Sequence, residues 1–153
     1  MLVRGLIIDV GIGTGIGLSS LKGFSPVVGI DGAIEMLRVA LGQIKDSGQR
    51  TQLVSLVCAF AEALPFRDCS APTVISITVI QNLTDVHQGV NELIRITQID
   101  GIIAVTSLSK SLPLHELAAK FDVKFKMMAQ FENLADEDDG LILQLCGKNQ
   151  IKP

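Results

Sequence analysis

The chain contains no tryptophan and no tyrosine, and phenylalanine alone brings the aromatic share to 4%. A core without large rings is aliphatic, which suits strands buried on both faces between helices. Cysteine is scarce: Cys58, Cys69 and Cys146 are odd in number and far apart. That excludes a disulfide framework and a spaced metal site, so no metal is expected and the three read as buried or boundary thiols in a reducing cytosol. His87 and His115 stand alone in the sequence and read as helix-surface residues. There is no excess of positive charge, the net charge being −3, so nothing argues for direct nucleic-acid binding. No apolar run reaches the ~20 residues of a membrane span. The N-terminus lacks the charged-then-apolar layout of a signal peptide, and the expectation is a cytoplasmic protein away from membranes. With 153 residues, the chain is expected to form one domain, 1–153.

What is abundant is glycine, and it is concentrated near the start. Leu6-Ile7-Ile8 reads as a buried parallel strand, Asp9 closes it, and Gly11, Gly13, Gly15 and Gly17 alternate behind it. A strand, a glycine turn and a helix start form the ligand cradle of a doubly wound sheet. The spacing is G-x-G-x-G, with Ile16 where a dinucleotide loop has its third glycine. A carboxylate at the strand tip is unfavourable beside a pyrophosphate and favourable beside a cation. The turn therefore suits a nucleoside that carries positive charge, such as S-adenosylmethionine.

Further along, Pro26 to Asp31 reads as a second strand with an acid at its tip, 22 residues beyond Asp9. An acid at about that distance accepts hydrogen bonds from ribose hydroxyls, and it also suits an N-cap. Ala33 to Asp46 has helical spacing through Ile34, Leu37, Leu41 and Ile44, with Glu35, Arg38 and Lys45 opposite. Strands are expected over 52–59, 72–77, 101–106, 123–131 and 141–146. Helices are expected from Leu18 to Leu21, from Thr84 or Asp85 to about Thr97, and from Pro113 to about Phe121. Phe125, Met127, Ala129 and Phe131 alternate onto one face, and Ala135 to Gly140 reads as a solvated acidic turn.

Asp9-Val10-Gly11-Ile12-Gly13-Thr14-Gly15 resembles motif I of the class I S-adenosylmethionine-dependent methyltransferases, and Val28-Gly29-Ile30-Asp31 resembles their motif II. Ala61-Glu62-Ala63-Leu64-Pro65-Phe66 is similar to the adenine-lining segment of their small-molecule-like type 11 branch. The resemblance implies an α/β, Rossmann-like, doubly wound seven-stranded sheet of order 3-2-1-4-5-7-6, with strand 7 antiparallel. It implies S-adenosyl-L-methionine as cofactor, with Asp9, Gly11, Gly13 and Gly15 toward the methionine part and Asp31 toward the ribose. Phe60, Ala61 and Glu62 fall toward the adenine, with Ser76 also in the cofactor site. Ser76, Gln81 and Asn82 occupy the segment that faces the substrate.

Phe60 stands where the family usually has Asp, and Ala71-Pro72 where it usually has Phe-Asp. The first strand begins almost at Met1, so the helices that cover the cofactor in relatives are expected to be missing. A second copy or a partner subunit is expected to cover the site. The expected reaction is methyl transfer to an acceptor that the spacing does not specify, a small molecule rather than nucleic acid. Two alternatives remain: a catalytically silent binding or regulatory subunit of the same fold, and a nucleotide-dependent oxidoreductase.

Overall fold

The structure is a computed structural model and describes residues 5–21, 26–46, 53–121, 125–134 and 138–145. Four short aliphatic strands build its centre: β1 (Ile7–Val10), β2 (Val27–Asp31), β3 (Val54–Cys58) and β4 (Ala71–Ser76). β5 (Thr97–Leu108) follows, then β6 (Phe125–Leu134) and β7 (Asp138–Leu145). The helices are α1 (Ile34–Asp46), α2 (Val86–Ile96) and α3 (Leu114–Lys120), and tighter 3₁₀ turns occupy Ile16–Leu21 and Ile80–Asn82.

The sheet order is β3-β2-β1-β4-β5-β7-β6. The first five strands run parallel in the expected order, and β7 pairs antiparallel with both β5 and β6. Alternation of side chains sends Ile8, Val10, Val74, Ile103 and Val105 to one face, where Val90, Leu93, Ile96 and Leu117 cover them. Ile7, Val27, Leu37, Ile44, Ile12 and Leu18 pack on the other face.

Several local expectations are corrected. Along α1 the buried stripe is Leu37, Ala40 and Ile44, while Ile34 and Leu41 are exposed, because the helix rests on the sheet along the Ala40 side. The Asp31 side chain does not cap α1: its Oδ1 accepts from Ala33 N at 2.8 Å, a turn that precedes the helix. Asp85 does cap α2, accepting from Gln88 N. Pro72 lies inside β4 rather than opening it, and the β4–β5 register shifts between Ala71 and Thr73, so the missing N–H falls at an irregularity. Asp100 and Gly101 form a bulge within β5, which already starts at Thr97, and not a turn before it. Pro113 is the N-cap of α3 and precedes its first turn.

A register shift between Met127 and Ala129 breaks the single face expected for β6. Of the acidic turn, Asp138 to Gly140 belong to β7, and 135–137 lie outside the described residues. Cys58 and Cys69 are exposed and not buried, since β3 is an edge strand and Cys69 sits in a connection; Cys146 lies outside the described residues. His87 and His115 are exposed on their helices. No helix among the described residues is long and apolar enough to cross a membrane, and among the same residues no acid, His and Cys cluster could hold a metal.

Candidate functional site

Strand order reverses at β1, which lies between β2 and β4, and a crevice opens there at the carboxyl ends of the strands. A cavity of about 530 Å³ occupies it, walled by the Val10–Gly13 turn, the tip of β2, the Ala59–Glu62 segment and the chain from Ile77 to Thr84. That is room for a nucleoside-sized ligand.

The three glycines of the turn all have left-handed φ, of +81°, +56° and +81° at Gly11, Gly13 and Gly15, but their surroundings differ. A Cβ on Gly11 would lie 2.1 Å from Cγ2 of Val79, so that side chain sits directly on the turn. A Cβ on Gly13 would meet nothing within 4 Å, which leaves its face open at the cavity. Gly15 does not line the cavity: a Cβ there would come within 3.2 Å of Ala40 Cβ, so its smallness serves the packing of the turn against α1. Gly11 N and Ile12 N both donate to Ile30 O, at 2.8 and 2.9 Å, and tie the turn to β2.

Asp31 lines the cavity and braces the same turn. Its Oδ2 accepts from Gly13 N at 2.9 Å while Oδ1 holds Ala33 N. Each carboxylate oxygen has two lone pairs, so both keep capacity toward a ligand. Asp9 is placed below the cavity wall and not on it. It shares the α1-side face of β1 with Ile7 and is only 6% exposed. Burial pushes its carboxyl up to about 7, and the nearby Asp31 carboxylate adds to the rise. Two acids at neighbouring strand tips repel a pyrophosphate and favour a cation. The open face of Gly13, the free lone pairs of Asp31 and this negative potential together fit a cationic nucleoside.

On the second wall, Ala61 and Glu62 line the cavity, and Phe60 stands at the rim, 69% exposed, with its ring 3.0 Å from where a Cβ on Gly32 would lie. The Glu62 side chain turns toward α2, accepting from Thr84 N at 3.0 Å, and its carbonyl accepts from Gln88 Nε2 at 3.2 Å. Leu64 is buried and Phe66 packs against the main core.

Of the three substrate-facing candidates, the third wall brings Asn82 alone to the cavity. Ser76 is fully buried and off the cavity, because it shares the core-facing side of β4 with Val74; its Oγ has no hydrogen-bond partner among the described residues. Gln81 is also off the cavity, since its Nε2 turns back to Thr78 O at 2.8 Å. Asn82 lines the cavity, yet its Nδ2 binds the same carbonyl at 3.2 Å.

Four residues that sequence reasoning did not single out shape the site. Thr78 has φ +59° and donates its N–H to Thr106 Oγ1 at 2.9 Å, which fixes the third wall. Val79 covers Gly11. Glu92 and Arg95 of α2 form an ion pair 2.6 Å long beneath the second wall. The hydrogen bond from Arg95 holds Glu92 below the usual carboxylate range despite burial, and the same bond raises Arg95. The available signal was an acid on the buried stripe of α2 with an arginine three residues on.

A methyltransferase-domain family model matches residues 8–105. A demethylmenaquinone methyltransferase of Roseiflexus castenholzii is 31% identical over 109 residues, 69% of this chain and 44% of that protein. A ubiquinone/menaquinone biosynthesis C-methyltransferase of Hahella chejuensis is 31% identical over 156 residues, 96% of this chain and 60% of that protein. The chain therefore spans about half the length of the curated relatives it matches. The crystal structure of an S-adenosylmethionine-dependent methyltransferase from Aquifex aeolicus superposes with a TM-score of 0.80 at 18% identity, over 95% of this chain and 85% of that one, a likeness of fold.

Proposed function

The chain belongs to the type 11 methyltransferase-domain family of class I S-adenosylmethionine-dependent methyltransferases, and from that premise we propose that it transfers a methyl group from this cofactor to a small molecule. The observation that carries the proposal is the pairing of an open Gly13 with Asp31 at the switch point of the sheet. In this reading Gly13 and Asp31 hold the ribose and the start of the methionine part. Ala61, Glu62 and the Phe60 ring border the adenine, and buried Asp9 attracts the cationic end through a dry layer.

When bound, S-adenosylmethionine would supply an electrophilic methyl group, the neutral thioether S-adenosylhomocysteine departing without protonation while the acceptor's displaced proton passes to solvent. The chain's own task is then alignment and exclusion of water. Thr78 and Thr106 fix the wall that faces the acceptor. The rim is apolar, with Phe60 and Ile77 69% and 49% exposed, and it suits a flat, weakly polar acceptor. The quinone-directed names of the two curated relatives agree with that, and a demethylated quinol is the acceptor to try first. In the same reading a second copy or a partner subunit covers the rim.

Calorimetry with S-adenosylhomocysteine, followed by transfer of labelled methyl to a demethylated quinol, tests the proposal. Absence of binding to the demethylated cofactor overturns it. One observation favours a second reading, a silent binding or regulatory subunit. Among the described residues, the wall from Ile77 to Thr84 carries only amide and hydroxyl side chains and no acid or histidine, and the amide nitrogens of Gln81 and Asn82 both bond Thr78 O. Binding without transfer to any quinol, alone or with a partner, selects this second reading.

A further inference from the structure

Residues 60–68, which begin with the second wall at Phe60, Ala61 and Glu62, contain no helix or strand, so contacts outside the segment help to hold them. α2 does so at two places. At its start, Glu62 accepts from Thr84 N and Gln88 Nε2 reaches Glu62 O. Further along, the guanidinium of Arg95 donates to three points of the segment: Leu64 O at 3.0 Å, Phe66 O at 2.8 Å and Asp68 Oδ1 at 2.7 Å. It also donates to both carboxylate oxygens of Glu92, at 2.6 and 2.8 Å. Glu92 Oε2 in turn accepts from Leu64 N at 2.7 Å, so both backbone groups of Leu64 end on one ion pair. The pair spends its fork on this connection, whereas α2 itself is anchored to the core by Val90, Leu93 and Ile96.

We propose that Glu92 and Arg95 are positioning residues for the nucleoside wall, setting the height of Ala61 and Glu62 above Asp31. The inference rests on the reading that the cavity takes S-adenosylmethionine. Neither residue lines the cavity. They act through the Leu64 peptide, three residues beyond Ala61. A planar fork is needed to reach backbone carbonyls, an acid and Glu92 together; an ammonium is a point donor and cannot span them.

Arg95→Met, Arg95→Lys and Glu92→Gln are compared with the unaltered chain by hydrogen exchange and by calorimetry with S-adenosylhomocysteine and adenosine. In Arg95→Met, exchange of the Leu64 amide and its neighbours accelerates about tenfold while that of β4 does not. Both ligands weaken by about the same factor, tenfold, because the loss is on the adenine side. Arg95→Lys and Glu92→Gln fall between, and they carry the test if the Met variant does not fold. A merely structural role lowers the melting temperature and leaves the affinity of the folded protein unchanged. Affinity and loop exchange within twofold of the parent overturn the inference alone. If the unaltered chain binds neither ligand, the cofactor reading falls and takes this inference with it.

Discussion

The backbone N–H of Gly13 and the Oδ2 of Asp31 lie 2.9 Å apart, so the acid at the tip of β2 holds the turn that leaves β1. The same carboxylate fixes Ala33 N ahead of α1. Losing both bonds costs about 1–3 kcal/mol. Asp31→Ala is therefore expected to lower the free energy of unfolding by that amount, read as a lower urea midpoint, and to weaken S-adenosylhomocysteine as well. Asp31→Asn keeps one acceptor and presents a donor to the second N–H, so about half of the stability loss is expected. Paired urea melts and calorimetry separate the two variants.

Gly11 and Gly13 look equivalent in sequence and are not equivalent in space. Both have φ in the left-handed region, which costs an alanine about 1 kcal/mol. At Gly11 the new methyl group also meets the stiff, branched side chain of Val79 at 2.1 Å, and overpacking adds about 1–3 kcal/mol. At Gly13 it meets nothing. Gly13→Ala should thus stay folded and lose ligand, with its methyl group standing in the cavity, while Gly11→Ala should lose several degrees of melting temperature. Thermal melts with and without S-adenosylhomocysteine show the contrast: the ligand raises the melting temperature of the parent and not of Gly13→Ala.

Asp9 links the site to pH. Its carboxyl titrates at about 7 in the fold against 3.8 as the ordinary value. Between those values the native state holds a proton that the unfolded chain has released. Stability therefore falls as pH rises from about 4 to about 7 and is level above that, by about 1.4 kcal/mol for each unit of difference. Asp9→Asn removes this slope and should be about 2–4 kcal/mol more stable than the parent at pH 8. Ligand binding runs the opposite way. A cationic ligand favours the ionised acid, so affinity for S-adenosylmethionine, which carries the sulfonium, should rise between pH 6 and 8, with a proton released on binding, and more steeply than affinity for the uncharged thioether S-adenosylhomocysteine. Calorimetry in two buffers of different ionisation enthalpy reads that proton, and the Asn variant should release none.

The parts of the fold that could be read from sequence were those where one local pattern has one physical meaning. The aliphatic strands of the parallel core and the Asp9-to-Asp31 spacing are such patterns, and the five parallel strands stand in the order that the family resemblance implied. The rest needed three-dimensional neighbours. Gly15 reads as a ligand-facing glycine until Ala40 is seen against it. Ser76 reads as substrate-facing until the register of β4 turns it inward. Gln81 and Asn82 are polar at the right place in the chain, but the left-handed Thr78 offers a carbonyl that both their amide nitrogens bond. Arg95 showed in the sequence only its neighbour Glu92, because its loop partners lie 27 to 31 residues away.

Phe60 is the departure from the family pattern with the most direct consequence at the wall. Its ring lies over Gly32 and is mostly exposed, so little apolar burial depends on it. An aspartate at this position would instead offer an acceptor to the exocyclic amino group of the adenine. Phe60→Asp is accordingly expected to leave the melting temperature within about 2 °C of the parent, since a mostly exposed site carries a small stability term. It should tighten S-adenosylhomocysteine by about 0.5–1.5 kcal/mol, the net worth of one such hydrogen bond. An inosine analogue, which lacks the amino group, distinguishes this from a general opening of the rim. The gain should vanish with the analogue, and an equal gain with both ligands would mean that the phenylalanine ring had been blocking entry and had not been replacing an acceptor.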